Sequence, residues 1–290
     1  MFLQQIVNGL TVGAIYALIA LGYSMVYGIL KIVNFAHGDI LMFGSFIGLI
    51  LVQHFRIPLF LAFCLSALLT AVLGMLVERF AYRPLRFSDR IVSMISALGV
   101  STFLSNFAQI LWGTERHPFQ VSFGTRIFSV KGTTFSEIQL LILILSFLLM
   151  LCLYLFTKKS MLGAAMRATS MSITNASLMG INTDYIISLA FAIGSALASC
   201  AGIMISIYYN AVYPTMGYMA GLKAFTAAVL GGIGSIPGAM LGGLILGIIE
   251  NTAGAYLSTR YQDLIAFLVL IIVLIIKPTG LMGSKEIDKV

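Results

Sequence analysis

The chain has 290 residues, of which 60% are hydrophobic and 9% charged, and its mean hydropathy is +1.03. Soluble domains carry about 25% charged residues, so this composition excludes a soluble protein and leaves a membrane-embedded one. The net charge of +7 does not point to nucleic acid, because the basic residues fall between apolar runs, as they do in cytoplasmic loops.

A hydrocarbon core about 30 Å thick needs about 20 helical residues per crossing. Within lipid, helices and closed barrels alone satisfy their backbone polar groups. The alternating segments of a barrel are absent from the sequence. The expected fold class is therefore all-α: a polytopic transmembrane helical bundle of eight or nine spans, with short or broken helices, forming a single domain over 1–290. Apolar runs fall at 6–30, 38–53, 58–79, 91–112, 138–156, 184–208, 219–234, 238–256 and 261–277. Two of them, 38–53 and 219–234, are short for a crossing and read as tilted, broken or re-entrant.

The first run lacks a basic leader and a small-residue cleavage site, so it is read as a retained span. It ends in "KIVNFAHGDIL", 31–41, which sets polar residues between two apolar runs. One account makes this an ordinary turn: Lys31 snorkels, Asn34 ends the first span, Gly38 turns, and Asp39 caps the second helix. It leaves His37 unexplained. The other account places the turn inside the membrane, where Asn34, His37 and Asp39 face a polar cavity.

Orientation follows from Lys and Arg in short loops. Arg79, Arg83, Arg86 and Arg90 crowd one loop, Lys158, Lys159 and Arg167 another, and Lys277, Lys285 and Lys289 the tail. These regions, the carboxy terminus included, are expected to be cytoplasmic. The segment 113–137, with Arg116, Arg126 and Lys131 partly balanced by Glu115 and Glu137, then lies outside. Nine spans put the amino terminus outside and eight put it inside. Glu78, beside Arg79 at the end of its run, is expected to form a surface ion pair or to anchor the helix end.

The loop 157–183 is long and contains no Pro, and its helix formers Ala164, Ala165, Met166 and Ala168 predict one or two short amphipathic helices. Asn175 is a candidate cap and Gly180 a helix stop. Ala176, Leu178, Met179 and Ile181 then face lipid headgroups or a partner.

In 220–251, Gly234, Gly238 and Gly242 recur every four residues, and Gly243 with Gly247 repeats the spacing. Such ridges let membrane helices approach closely. Pro237 is expected to break the run, and broken helices are common where substrates cross. Glu250, followed by Asn251, falls inside the next run, where a charge is costly unless paired or wetted. Both are candidates for a pathway or partner interface. Asp184 and Asp263 read as helix-start residues.

No phosphate-binding loop, H-E-x-x-H, paired cysteines or G-x-S-x-G occurs, so no catalytic residue, metal site or cofactor is expected and any energy source lies on another chain. Cys64, Cys152 and Cys200 read as packing residues, and His54 and His117 as solvated. An ion-coupled secondary carrier would need buried ionisable groups, which are few here. A membrane enzyme would need a clustered catalytic set.

The run "NGLTVGAIYALIALGYSMVYGILKIVNFAHGDILMFGSF" resembles the amino-terminal signature of high-affinity branched-chain amino acid permeases of ABC importers. "ERFAYRPLR" resembles that family's first cytoplasmic loop, "ASLMGINTD" its coupling loop, and "GGIGSIPGAMLGGLILGIIEN" with "LIIKPTGLMG" its carboxy-terminal segments. The resemblance covers nearly the whole chain. It implies the shorter of two homologous permease subunits, working with a second permease, two cytoplasmic ATPases and an extracytoplasmic amino-acid-binding protein in a bacterial or archaeal plasma membrane. It also implies that a short helix within 172–182 docks on an ATPase, making Asn175, Ala176, Ser177, Leu178, Met179, Gly180 and Ile181 coupling candidates. The family often carries acidic residues in this loop, where the chain reads "SMSITNAS". A related urea and amide group usually has Glu in place of Asp39, and the sugar permeases of the superfamily lack "NFAHGD".

Overall fold

The structure, a computed structural model, describes residues 2–86, 88–121, 126–130 and 133–283. Lys131, Lys285 and Lys289, used above for orientation, lie outside the described residues.

The first run folds as α1 (Phe2–Leu30), about 44 Å long at 1.5 Å per residue. A return segment, 31–36, leads to α2 (His37–Gln53), which is followed by α3 (Leu59–Val77), a π-helical turn (Glu78–Tyr82) and α4 (Arg90–Trp112). Two four-residue strands, β1 (Ile127–Val130) and β2 (Thr133–Ser136), pair antiparallel with Ile127 opposite Ser136. Ser136 and Gln139 then form a reciprocal capping box that starts α5 (Glu137–Lys159). Next come α6 (Met161–Met171) and α7 (Ile173–Leu178), each opened by a serine, Ser160 and Ser172, whose hydroxyl accepts from a backbone N–H three residues on. Asn182 caps α8 (Thr183–Tyr209) in the same way, and Ser235 caps α10 (Ile236–Tyr256). Between these two lies α9 (Met216–Gly231), and α11 (Gln262–Ile276) completes the bundle.

Seven helices, among the described residues, are long and apolar enough to cross a membrane. The runs read as short are α2 and α9, with 17 and 16 residues. Burial separates centre from periphery: 89% of the apolar window of α1 and 78% of that of α8 are buried, against 22% for α4 and 6% for α11. The outward faces of α3, α4, α5 and α11 present large apolar side chains, as lipid-facing surfaces do. Cys64 and Cys152 are exposed on such faces, so only Cys200 is a buried packing residue.

The chain makes the same excursion twice, in opposite directions. A long helix, a return segment, a short helix and two further helices run from α1 to α4 and again from α8 to α11. The start of α1 and the end of α8 share one end of the bundle: Gln4 and Asn8 hydrogen-bond to Thr134 of β2 and Gln139 at the head of α5, a recess that Tyr208 of α8 also lines, while His117 bridges Val212 just after α8. His117 is therefore half-buried, its ring bonded to the Trp112 carbonyl, and is not the solvated residue expected. The long contacts correspond too, α1 lying along α10 and α8 along α3. Such inverted arrangements characterise many transporter folds.

The glycines divide between two contacts. Gly243 and Gly247 on α10 meet Ala17 and Gly13 of α1, whereas Gly238 and Gly242 face Gly231 and Ala227 of α9. Gly234 is not part of the ridge. It lies in the turn between α9 and α10 with φ +89°. The run is interrupted between α9 and α10, and Pro237 sits just past that turn, in the first turn of α10, where its missing N–H costs nothing. The carbonyls freed at the end of α9 are met by the tail, Leu281 N donating to Leu230 O and Met282 N to Gly231 O, each at 2.9 Å.

Candidate transport pathway and coupling site

The polar return segment enters the bundle. The His37 ring lies 4.6 Å from that of Tyr23 and against Gly22, eight residues before α1 ends, so the chain has doubled back by about 12 Å before α2 begins. Asn34 holds this bend, its Oδ1 accepting from Ala36 N at 3.1 Å and from the Tyr82 hydroxyl at 2.8 Å. Asp39 is in the first turn of α2 but is not its cap residue, a position held by Ala36. Its two oxygens accept from Ser101 Oγ at 2.5 Å and Ser105 Oγ at 2.6 Å, in the middle of α4. Gly38 is helical and makes no turn. The simple-turn account therefore fails for Gly38 and Asp39, and Asn34, His37 and Asp39 are all buried. His37 Nε2 has no hydrogen-bond partner among the described residues.

Tyr82 connects this bend to the bundle end near α7. It closes the π turn, in which Arg83 N reaches back to Glu78 O. Inserted π turns of this kind frequently mark functional sites. Glu78, expected at the surface beside Arg79, is instead buried, accepting from Arg86 at 2.9 Å and from Ser188 Oγ of α8 at 2.5 Å. Arg79 is exposed. Arg86 also donates to Asp184 at 2.6 Å, and Arg83 pairs with the same carboxylate. Asp184 thus does more than favour a helix start: it clamps the 83–86 loop to the head of α8, two residues after the Asn182 cap.

The loop 157–183 folds as two short helices, with Ser172 rather than Asn175 as the cap of α7. Gly180 N donates to Ser177 O and Ile181 N to Ala176 O, with Gly180 at φ +83°. This is a Schellman ending, which needs a left-handed residue where glycine is favoured. The apolar residues split. Ala176 is buried and Ile181 half-buried against the bundle, whereas Leu178 and Met179 are 81% and 84% exposed. Asn175, Ser177 and Gly180 are exposed beside them.

Glu250 belongs to another cluster. Lys223 Nζ of α9 bonds Glu250 Oε1 at 2.6 Å and Asp263 Oδ1 at 2.7 Å, pairing charges that would be costly alone. Asn251 donates to Gly247 O of its own helix and does not join them. The five pathway candidates therefore fall in two places, Asn34, His37 and Asp39 around the return segment and Glu250 and Asn251 on α10.

Sequence reasoning missed Tyr82, Ser101, Ser105, Arg86 and Lys223. Two signals were present: Ser101 and Ser105 stand one helical turn apart, and Lys223 is a lone cation inside an apolar run.

The fold and these clusters can be set beside known proteins. The family described as branched-chain amino acid transport system / permease component matches residues 5–274. The high-affinity branched-chain amino acid transport system permease protein LivH of Escherichia coli (strain K12) is 45% identical over 304 residues, covering 100% of this chain and 98% of that protein. BraD of Pseudomonas aeruginosa, of the same description, is 45% identical over 303 residues with the same coverage. A chain of a solved ABC transporter, described as of metal-chelate type and inward-facing, is 17% identical with a TM-score of 0.53, covering 93% of this chain and 85% of that one, a likeness of fold. The full-length matches and the helical bundle agree, and the chain belongs to the family of permease components of branched-chain amino acid transport systems.

Proposed function

We propose that the chain is the membrane half-pathway of an ATP-driven importer for leucine, isoleucine and valine, paired with a second, homologous permease. Two cytoplasmic ATPases supply the energy and an extracytoplasmic binding protein supplies the substrate. The basic loops 80–90 and 157–183 and the carboxy terminus face the cytoplasm of a plasma membrane, and the β1–β2 end faces outward. The observation that carries this reading is the full-length 45% identity to permeases so described.

The exposed Leu178–Met179 tip supports the docking of α7 on an ATPase, since a short helix ending in two exposed large apolar residues fits helix-in-groove recognition. A route from the head of α8, which follows that tip in sequence, to the return segment runs through the Asp184–Arg86 and Arg86–Glu78 bonds, along the π turn to Tyr82, and through the Tyr82–Asn34 bond. Movement of α7 would reach the polar bend along this route, and the bend would open or close the path for an amino acid.

The test is reconstitution. The tagged chain, co-expressed with its partner subunits, is expected to bring down an ATPase and to support ATP-dependent leucine uptake into vesicles. Accumulation of leucine against a gradient by the chain alone, driven by an ion gradient, would overturn the proposal.

A further inference from the structure

The Lys223 cluster opens into a cavity of about 370 Å³ near the outward-facing end, within the range of ligand pockets and toward its lower end. Arg116 and Lys223 line it, as do Asp263, Tyr16 and Tyr213. Its apolar side comes from Ile205, Met216 and Met219.

The charges are arranged unevenly. Lys223 is already held by two carboxylates, but Glu250 Oε2 is buried with no hydrogen-bond partner among the described residues and the Asp263 side chain is half-exposed. On the other side of the balance, Arg116 is exposed, lies 4.7 Å from the centroid of the Tyr213 ring and pairs with no carboxylate among the described residues. With Glu250 included, two cations face two anions. Such a cavity is neutral overall and carries separate places for a carboxylate and an ammonium. Its lack of net charge gives a simple anion or cation no overall attraction, and the two separate places suit a zwitterion.

We propose that this cavity is a binding site for a free aliphatic α-amino acid, belonging to the permease itself. The substrate carboxylate meets Arg116, whose planar fork suits it. The ammonium meets Asp263, and the side chain lies against Ile205, Met216 and Met219. The proposal rests on the transport reading above and adds where the substrate first lodges. Sequence inspection had left Arg116 among the loop charges and Asp263 as a helix start.

The experiment uses the complex carrying Cys64→Ser, Cys152→Ser, Cys200→Ser and Met219→Cys, exposed to a membrane-impermeant maleimide in the absence of binding protein. L-leucine is expected to slow labelling about tenfold at ten times its Kd, as occupancy requires. Isocaproate, which lacks the ammonium, and isopentylamine, which lacks the carboxylate, should not protect. Arg116→Gln, on an exposed loop where folding is undisturbed, and Asp263→Asn should each abolish protection by leucine. Failure of the maleimide to reach position 219, labelling indifferent to leucine, or equal protection by either analogue would each overturn the site. Leucine uptake by the complex with its own residues, measured in parallel, separates these results from a failure of the transport reading.

Discussion

Gly38 and Gly217, each in the first turn of a short helix, meet backbone to backbone: a Cβ on Gly38 would lie 2.9 Å from the Gly217 carbonyl carbon and 3.2 Å from Gly221 Cα. Neither neighbour is a flexible side chain, so α2 and α9 would have to separate. Gly38→Ala and Gly217→Ala are each expected to lower stability by about 1–3 kcal/mol, the usual range for overpacking, read as a fall in Tm of the detergent-solubilised complex. Because both substitutions spread one contact, the double variant should cost less than the sum. Strict additivity would show that the two glycines do not share a contact.

The elements were largely legible in the sequence and the pairings were not. Both short runs, the α1–α10 glycine ridge and the Gly180 helix stop follow from local pattern, because length, small-residue spacing and left-handed preference are properties of a segment. Asn34 with Tyr82, Glu78 with Arg86 and Lys223 with Glu250 are relations between segments, and no periodicity encodes which polar residue of one helix faces which of another. The two strands, four residues each, are too short to show an alternating pattern. Gly234 illustrates the reverse error: its spacing matched a helical ridge, but Gly232 and Gly234 both take positive φ and the helix ends before them.

Asp39 lies where the amino-terminal ends of α2 and α9 converge, and both helix ends favour a negative charge. Its two hydroxyl partners on α4 add charge-assisted bonds, each contributing roughly 1.5–3 kcal/mol. Asp39→Asn keeps the shape and removes the charge, so transport should fall while the complex still assembles. Ser101→Ala with Ser105→Ala should weaken transport in the same direction and loosen α4, seen as faster proteolysis of the 83–90 loop. Uptake unchanged in both variants would return Asp39 to a structural role.

Arg86 and Glu78 form a buried pair, their side chains 5% and 1% exposed. Breaking such a pair from one side leaves an uncompensated charge and costs about 3–5 kcal/mol, whereas replacing both partners by apolar residues is often close to neutral. Arg86→Met is therefore expected to abolish accumulation of the folded chain, and Glu78→Met with Arg86→Met to restore much of it. The restored variant should still transport poorly, because Asp184 has lost one of its two arginines. A double variant as poorly folded as the single one would mean that Arg86 acts through contacts other than Glu78.

Tyr82→Phe removes one hydroxyl and nothing else, so it tests whether the bond to Asn34 carries motion or merely holds the bend. A buried acceptor that loses its donor costs about 1–3 kcal/mol, and Asn34 retains Ala36 N. The complex should remain assembled, with ATP hydrolysis near its usual rate and less leucine moved per ATP. A proportional fall in hydrolysis and uptake would instead place the bond in general stability.

Gly180 and Leu178 separate the shape of α7 from its surface. At φ +83° a branched residue is strained by at least about 1–2 kcal/mol, while asparagine visits this region more readily. Gly180→Val should distort the tip and Gly180→Asn should largely preserve it. Leu178→Glu leaves the fold alone, since the side chain is 81% exposed, but puts a charge where an apolar groove is expected. Uptake should therefore fall for Gly180→Val and Leu178→Glu, stay close to normal for Gly180→Asn, and the ATPase should be released on washing only from the first two. Leu178→Glu that still co-purifies with its ATPase and transports normally would move the docking surface away from α7.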